Sequence, residues 1–181
     1  MIVPGGRGAR ARVLGALALA AALAGCGYHA IGGRGFFGED VRTIELDGFT
    51  NQSREPGLPL LIGQAMSEEF ARRGWLDPKS AGEVAKPDLV MNGTIHMAAV
   101  HSSSYSKSAL ALEETIEVVV DVNVRRAGSG EVLLQHPDLH VREVFLASAD
   151  SQVYASNKEQ ALRRLSSQIA QRVHDELFQK F

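Results

Sequence analysis

The chain has 181 residues and a mass of 19.5 kDa, room for one ordinary domain with short appendages. Hydrophobic residues at 45% and charged residues at 22% match a folded soluble protein and exclude wholesale disorder. A formal charge of -2 with a pI near 6.3 excludes the broad basic footprint that nucleic acid requires, and a single cysteine excludes an intramolecular disulfide or a multi-cysteine metal cage.

That cysteine is the most informative residue. Arg7, Arg10 and Arg12 precede an uninterrupted run of apolar residues and glycine, Val13 to Ala24, which is too short for the roughly 20 residues that span a bilayer. A basic segment, a short apolar segment and small residues at its end predict a secretory signal over 1–25. The end, Leu23-Ala24-Gly25-Cys26, resembles a bacterial lipobox, so Cys26 is expected to carry fatty acyl chains as the first residue of the mature protein. Removing the leader takes away three arginines and no acid, leaving 16 basic against 21 acidic residues, a net of -5. More than one acyl chain anchors effectively permanently at about 0.8 kcal/mol per buried methylene. Gly27 stands where an inner-membrane retention signal has aspartate, so the expected location is the outer membrane, facing the periplasm.

Residues 26–40 are predicted to be a glycine-rich tether. Gly33, Gly35 and Gly38 match G-x-G-x-x-G, but the segment lacks the preceding strand and following helix that a dinucleotide site needs. Phe36 and Phe37 in this tether are expected to rest on the membrane interface or on a partner.

A single domain is expected over 41–181. Alternation in Val41 to Phe49 predicts a half-buried strand with Ile44 and Leu46 inward. Leu58, Leu61, Ile62, Ala65, Met66 and Phe70 have the spacing of an amphipathic helix, which Gly74 is placed to end. Asp77 to Pro87 is expected to be a polar connector. Leu89, Met91, Ile95 and Met97 share one face of a second strand, with Asn92, Thr94 and His96 on the other. His101 to Ser108 is expected to be a loop or a flexible hairpin tip. Ile116, Val118, Val120, Val122 and Val124 mark the clearest strand. A turn at Ala127 to Gly130 leads into a last strand, where Pro137 predicts a bulge or an edge position. Leu162, Leu165, Ile169, Val173 and Leu177 line a C-terminal helix. The expected fold is a two-layer α+β sandwich (β-α-β-β-β-α), with a four-stranded, largely antiparallel sheet and two helices on one face. The other face is expected to be polar, carrying Thr94, His96, Thr115, Glu117, Asp121 and Asn123.

Catalytic and metal signatures are missing: there is no H-E-x-x-H, G-x-S-x-G or P-loop. His136 and His140, four apart in a strand, stand about 13 Å from each other and cannot share a metal. A hydrolase built from His96 or His101, a serine of 102–104 and Asp121 lacks any nucleophile-elbow sequence. No enzyme activity, metal or cofactor is expected.

Several segments in order are similar to the lipopolysaccharide-assembly lipoprotein (LptE) family. They are Cys26-Gly27-Tyr28-His29 after the lipobox, Phe49 to Leu58 (FTNQSREPGL), a helix ending Arg73-Gly74, Asp88 to Ile95 (DLVMNGTI), Gly130 to Leu133 (GEVL), Ala161 to Leu165 (ALRRL) and Arg172 to Asp175 (RVHD). The resemblance implies a non-catalytic plug inside an outer-membrane β-barrel of the LptD type, assisting its folding and the insertion of lipopolysaccharide into the outer leaflet. A lipoprotein scaffold of another envelope machine, for barrel assembly or lipid traffic, is the alternative. Lys107 in the serine-rich loop and Arg125 and Arg126 at the hairpin turn are the candidate lipopolysaccharide contacts; the two arginines also fit as ordinary solvated hairpin charges.

Overall fold

Val118, Val120, Val122 and Val124 are each fully buried, and their register with neighbouring strands organises the protein. In the computed structural model residues 37–38, 41–105 and 111–179 are described. In chain order the elements are β1 (Thr43–Asn51), α1 (Leu58–Arg73), β2 (Asp77–Ser80), β3 (Leu89–Tyr105), β4 (Ala111–Arg126), β5 (Val132–Leu146) and α2 (Ser151–Gln179). The expected α+β sandwich is present, with one correction: the sheet has five strands in the order β2-β1-β3-β4-β5 and is mixed. β1 pairs in parallel with both β2 and β3, while β3–β4 and β4–β5 are antiparallel. α1 carries the chain back across the sheet after β1, and a strand reached by such a crossover must run parallel. β2 lies where the sequence predicts only a connector, because its four residues, DPKS, are too few and too polar to alternate. Pro78 is tolerated there because β2 is an edge strand.

Both helices form where the apolar spacing places them. α1 buries Leu58, Ile62, Ala65, Met66 and Phe70, and Gly74 caps it at φ 70, donating its N–H to the Phe70 carbonyl at 3.0 Å. Asp150 caps the start of α2, its Oδ1 accepting from the N–H groups of Gln152 (2.8 Å) and Val153 (3.2 Å). Its predicted stripe of Leu162, Leu165, Ile169, Val173 and Leu177 is buried in the core shared with α1 and the sheet. Glu69, 5% exposed, anchors the contact between the helices: it takes hydrogen bonds from Arg72 and Arg73, and Arg73 reaches Asp175 at 3.0 Å. Burial pushes the Glu69 carboxyl up, but the two guanidinium groups outweigh it and the net shift is downward. His174 is buried beside Phe70 and Phe178, with ring centroids 5.1 and 4.5 Å away. Burial, reinforced by Arg73, holds its pKa below the ordinary 6.5, so it packs as a neutral aromatic ring.

Bulges correct the simple alternation, and those at Gly48, His96 and Pro137–Asp138 matter most for which face each residue takes. Asp47 and Gly48 both face Asn92 across the β1–β3 pair, and Gly48 takes φ 86 there, a conformation glycine reaches without strain. An extra residue at His96 shifts the β3 register, since Ile95 pairs with Val120 but Met97 pairs with Val119. Met97 therefore leaves the predicted inner face and is 37% exposed on the outer one. In β5 the bulge falls at Pro137 and Asp138, opposite Asp121, and Asp138 has φ 52. Both expectations for Pro137 hold, since β5 is also an edge strand. The expected loop at 101–108 is a continuation of β3 as far as Tyr105; residues 106–110 lie outside the described ones.

Phe37, expected on a membrane or partner, is instead 6% exposed within the core. Its ring meets Phe178 edge-on at 5.3 Å and its carbonyl accepts a hydrogen bond from the Arg126 guanidinium at 2.6 Å.

Candidate functional site

The helices cover one face of the sheet, and the opposite face presents the residues that alternate with the valine row. On β4 these are Thr115, Glu117, Val119, Asp121 and Asn123, and on β5 they include His140, Arg142 and Val144. The predicted polar face is there. The β3 bulge adds to it: His96, bonded to Asp121, and His101, expected in a loop but opposite Thr115, are both on this face.

Its charges are matched in pairs across the strands. Glu117 Oε1 accepts from Arg142 Nη2 at 2.8 Å and Nε at 3.0 Å, and lies 3.1 Å from His140 Nδ1. The bonds from Arg142 and then His140 hold the Glu117 carboxyl below the usual range. Asp121 Oδ1 accepts from the Asp138 N–H at 2.8 Å, and Oδ2 lies 2.8 Å from His96 Nε2. The Asp138 amide, then His96, lower the Asp121 pKa. His96 Nδ1 in turn contacts Gln52 Oε1 at 3.2 Å. Both acids are thus held in their ionised form by their partners. Toward β1 the face opens into a polar recess lined by Asp47, Thr50, Asn92, Thr94 and Asn123, formed by the bulge at Gly48. Such a surface, mostly polar and charge-paired though it also carries Met97, Val119 and Val144, suits contact with another wet, hydrogen-bonding surface.

The structure scatters the predicted site residues. Cys26 and Lys107 lie outside the described residues. Arg125 is exposed at the end of β4. Arg126 is engaged, its Nε 2.7 Å from Glu131 Oε2 and its other nitrogen on the Phe37 carbonyl. His136 and His140 point to opposite sides of the sheet, because the Pro137–Asp138 bulge lies between them: His136 meets Glu176 of α2, His140 meets Glu117. Among the described residues no group of three or more His, Cys, Asp or Glu is placed to hold a metal ion. Among them, too, no helix is long and apolar enough to cross a membrane.

Sequence reasoning missed a polar stripe on α2. Asn157, Arg164, Gln168, Arg172 and Glu176 follow one another at helical spacing, and the last four each immediately precede a buried residue, Leu165, Ile169, Val173 and Leu177. Each bonds to β5: Asn157 to the Leu146 carbonyl, Arg164 and Gln168 to Glu143, Arg172 to the His140 carbonyl and Glu176 to His136. The i, i+4 repeat beside the apolar one was the available signal.

No curated protein matches the chain by sequence. Among solved structures, the rare lipoprotein B from Shewanella oneidensis is similar with a TM-score of 0.49 at 12% identity, covering 75% of this chain and 95% of that one. A minor lipoprotein from Acinetobacter baumannii has a TM-score of 0.46 at 8% identity, covering 77% and 92%. The family model for lipopolysaccharide-assembly proteins, LptE, matches residues 41–177, the whole of the α+β domain from the approach to β1 to the last turns of α2, and the chain belongs to that family.

Proposed function

We propose that this chain is a lipid-anchored assembly subunit of the outer-membrane β-barrel that inserts lipopolysaccharide into the outer leaflet, seated as a plug in the lumen of an LptD-like barrel. Membership of the lipopolysaccharide-assembly family carries the reading. The charge-paired sheet face supports it, because a porin-type lumen is polar and water-lined and accepts a hydrophilic wall more readily than an apolar one. Acyl chains on Cys26 hold the domain at the periplasmic mouth of the barrel. The subunit acts by binding, without catalysing a reaction and without a metal or cofactor. A tagged chain purified from outer membranes in mild detergent is expected to bring down a β-barrel in one-to-one stoichiometry, identified by mass spectrometry. Recovery with a different envelope machine would move the protein to the alternative, a lipoprotein scaffold for barrel assembly or lipid traffic.

Direct contact with lipopolysaccharide is assigned to Lys107, Arg125 and Arg126. The headgroup is anionic and the mature chain is net negative, so at a screening length of about 8 Å the contact depends on local cations. Arg125 is the freer arginine, since Arg126 already holds Glu131 and the Phe37 carbonyl. Replacing all three with serine is expected to weaken lipopolysaccharide binding at least tenfold while leaving barrel recovery intact; unchanged affinity in a direct binding titration removes the assignment.

A further inference from the structure

β5 is the outermost strand on its side of the sheet, 15 residues long, with Val144 49% and Leu146 63% exposed. A long edge strand with apolar side chains is a template for pairing with another strand. Its amino-terminal arm is already broken for that purpose by Pro137 and by Asp138 at φ 52. The carboxy-terminal arm, Leu139 to Leu146, is regular.

Along this arm α2 supplies donors to the backbone. Arg172 Nη1 donates to the His140 carbonyl at 3.1 Å, Arg164 Nη2 to the Val144 carbonyl at 3.3 Å and Asn157 Nδ2 to the Leu146 carbonyl at 2.9 Å. Residues 140, 144 and 146 share one parity, so these carbonyls lie on one side of the strand, the side away from β4. Arg164 is fixed in place by Glu143 Oε1 at 2.6 Å, and Gln168 holds the other oxygen of that carboxylate at 2.7 Å. Docking α2 does not require these bonds, because its apolar stripe is buried in the core without them. What they do is fill the acceptor sites that an incoming strand would use.

We propose that the polar stripe of α2 closes the β5 edge against strand addition, and that the strand it excludes is β5 of a second copy of this chain. A two-fold antiparallel pairing of the two regular arms would meet centrally near Arg142, aligning identical outward-facing backbone groups. The closure concerns this chain alone, so it stands or falls separately from the plug reading.

The test uses the full chain purified alone in mild detergent and weighed by sedimentation velocity. Wild type is expected to be monomeric. The variant Asn157→Ala/Arg164→Ala/Arg172→Ala is expected to keep its far-UV circular dichroism and at least double its protein mass at micromolar concentration. Adding Arg142→Pro, which removes an outward N–H on an edge strand, is expected to return it to monomer. A folded triple variant that stays monomeric overturns the proposal, as does self-association that persists with the proline or a wild type already paired through β5. Should the triple variant lose its fold, Arg164→Ala/Arg172→Ala is judged by the same outcomes.

Discussion

Replacing Gly93 with alanine is expected to destabilise the domain by about 3 kcal/mol, the upper part of the range for overpacking a filled core. Gly93 is buried in the middle of β3, between β1 and β4, paired with Phe49 and Val122. A Cβ there would lie 2.5 and 2.6 Å from Phe49 Cε1 and Cδ1, and closer still to the Asp121 carbonyl oxygen. Side-chain Cβ atoms do not tolerate such distances, and one of the two obstacles is backbone held in the β3–β4 ladder. Alanine recovers about 0.5–1 kcal/mol of strand conformational entropy relative to glycine, too little to offset the clash. At about 2–4 °C per kcal/mol for a domain of this size, the melting temperature should fall by roughly 10 °C. Pairing the change with Phe49→Ala isolates the ring: the double variant should be more stable than the two single losses predict by on the order of 1 kcal/mol, since only the backbone contact persists. A Gly93→Ala protein that melts with wild type would show that the strands separate there at no cost, and the packing described for β1 against β3 would be wrong.

The same locus shows what was legible in the sequence. DLVMNGTI alternates well enough to place a strand, and the alternation puts Leu89, Met91 and Ile95 in the core, where they are. It carries no sign that Phe49, forty-four positions earlier, lies over Gly93, because that contact depends on a parallel pairing set by the α1 crossover. Period 3.6 placed both helices because each has one buried side and one wet side, a property local to the helix. Period 2 misplaced Met97 because a bulge adds one residue and reverses every face that follows it. β2 escaped because four polar edge residues carry no period at all. On the open face, the polar character of Glu117 and Asp121 was legible, but not their partners: Arg142, His140 and the Asp138 amide come from β5, at a register that the Pro137–Asp138 bulge decides. Phe37 was misassigned for a related reason. A glycine-rich context describes the chain around it, whereas its ring packs on Phe178 and its carbonyl is held by Arg126, both far away in sequence.

Asp88→Ala is expected to cost about 3 kcal/mol, because it leaves two backbone N–H groups without the charged acceptor that holds them. Asp88 Oδ2 accepts from the N–H of Arg42 at 3.0 Å, the N–H of Thr43 at 2.9 Å and the hydroxyl of Thr43 at 2.8 Å. Its own N–H returns to Thr43 Oγ1 at 3.0 Å, and its carbonyl accepts from Ala127 at 2.9 Å. One aspartate therefore ties the starts of β1 and β3 to the start of the β4–β5 turn, at the edge of the parallel pairing that the chain must close over forty-five residues. Burial pushes the carboxyl up, but the bonds from Arg42 and Thr43 outweigh it and the pKa falls below the ordinary 3.8. A lowered folded-state pKa means that the unfolded chain binds the proton first. The stabilisation is thus complete above pH 3.8 and is lost as the pH falls through that value and on through the folded pKa. Asparagine at this position keeps an acceptor without the charge, so Asp88→Asn should be less stable than wild type at neutral pH, by less than alanine is. Its unfolding free energy, measured by denaturant titration from pH 7 down to pH 2.5, should approach that of wild type at the acid end. A constant difference between the two proteins across that range would mean that the Asp88 charge does not hold the strand entries together, and that the hydrogen bonds alone, charged or not, do so.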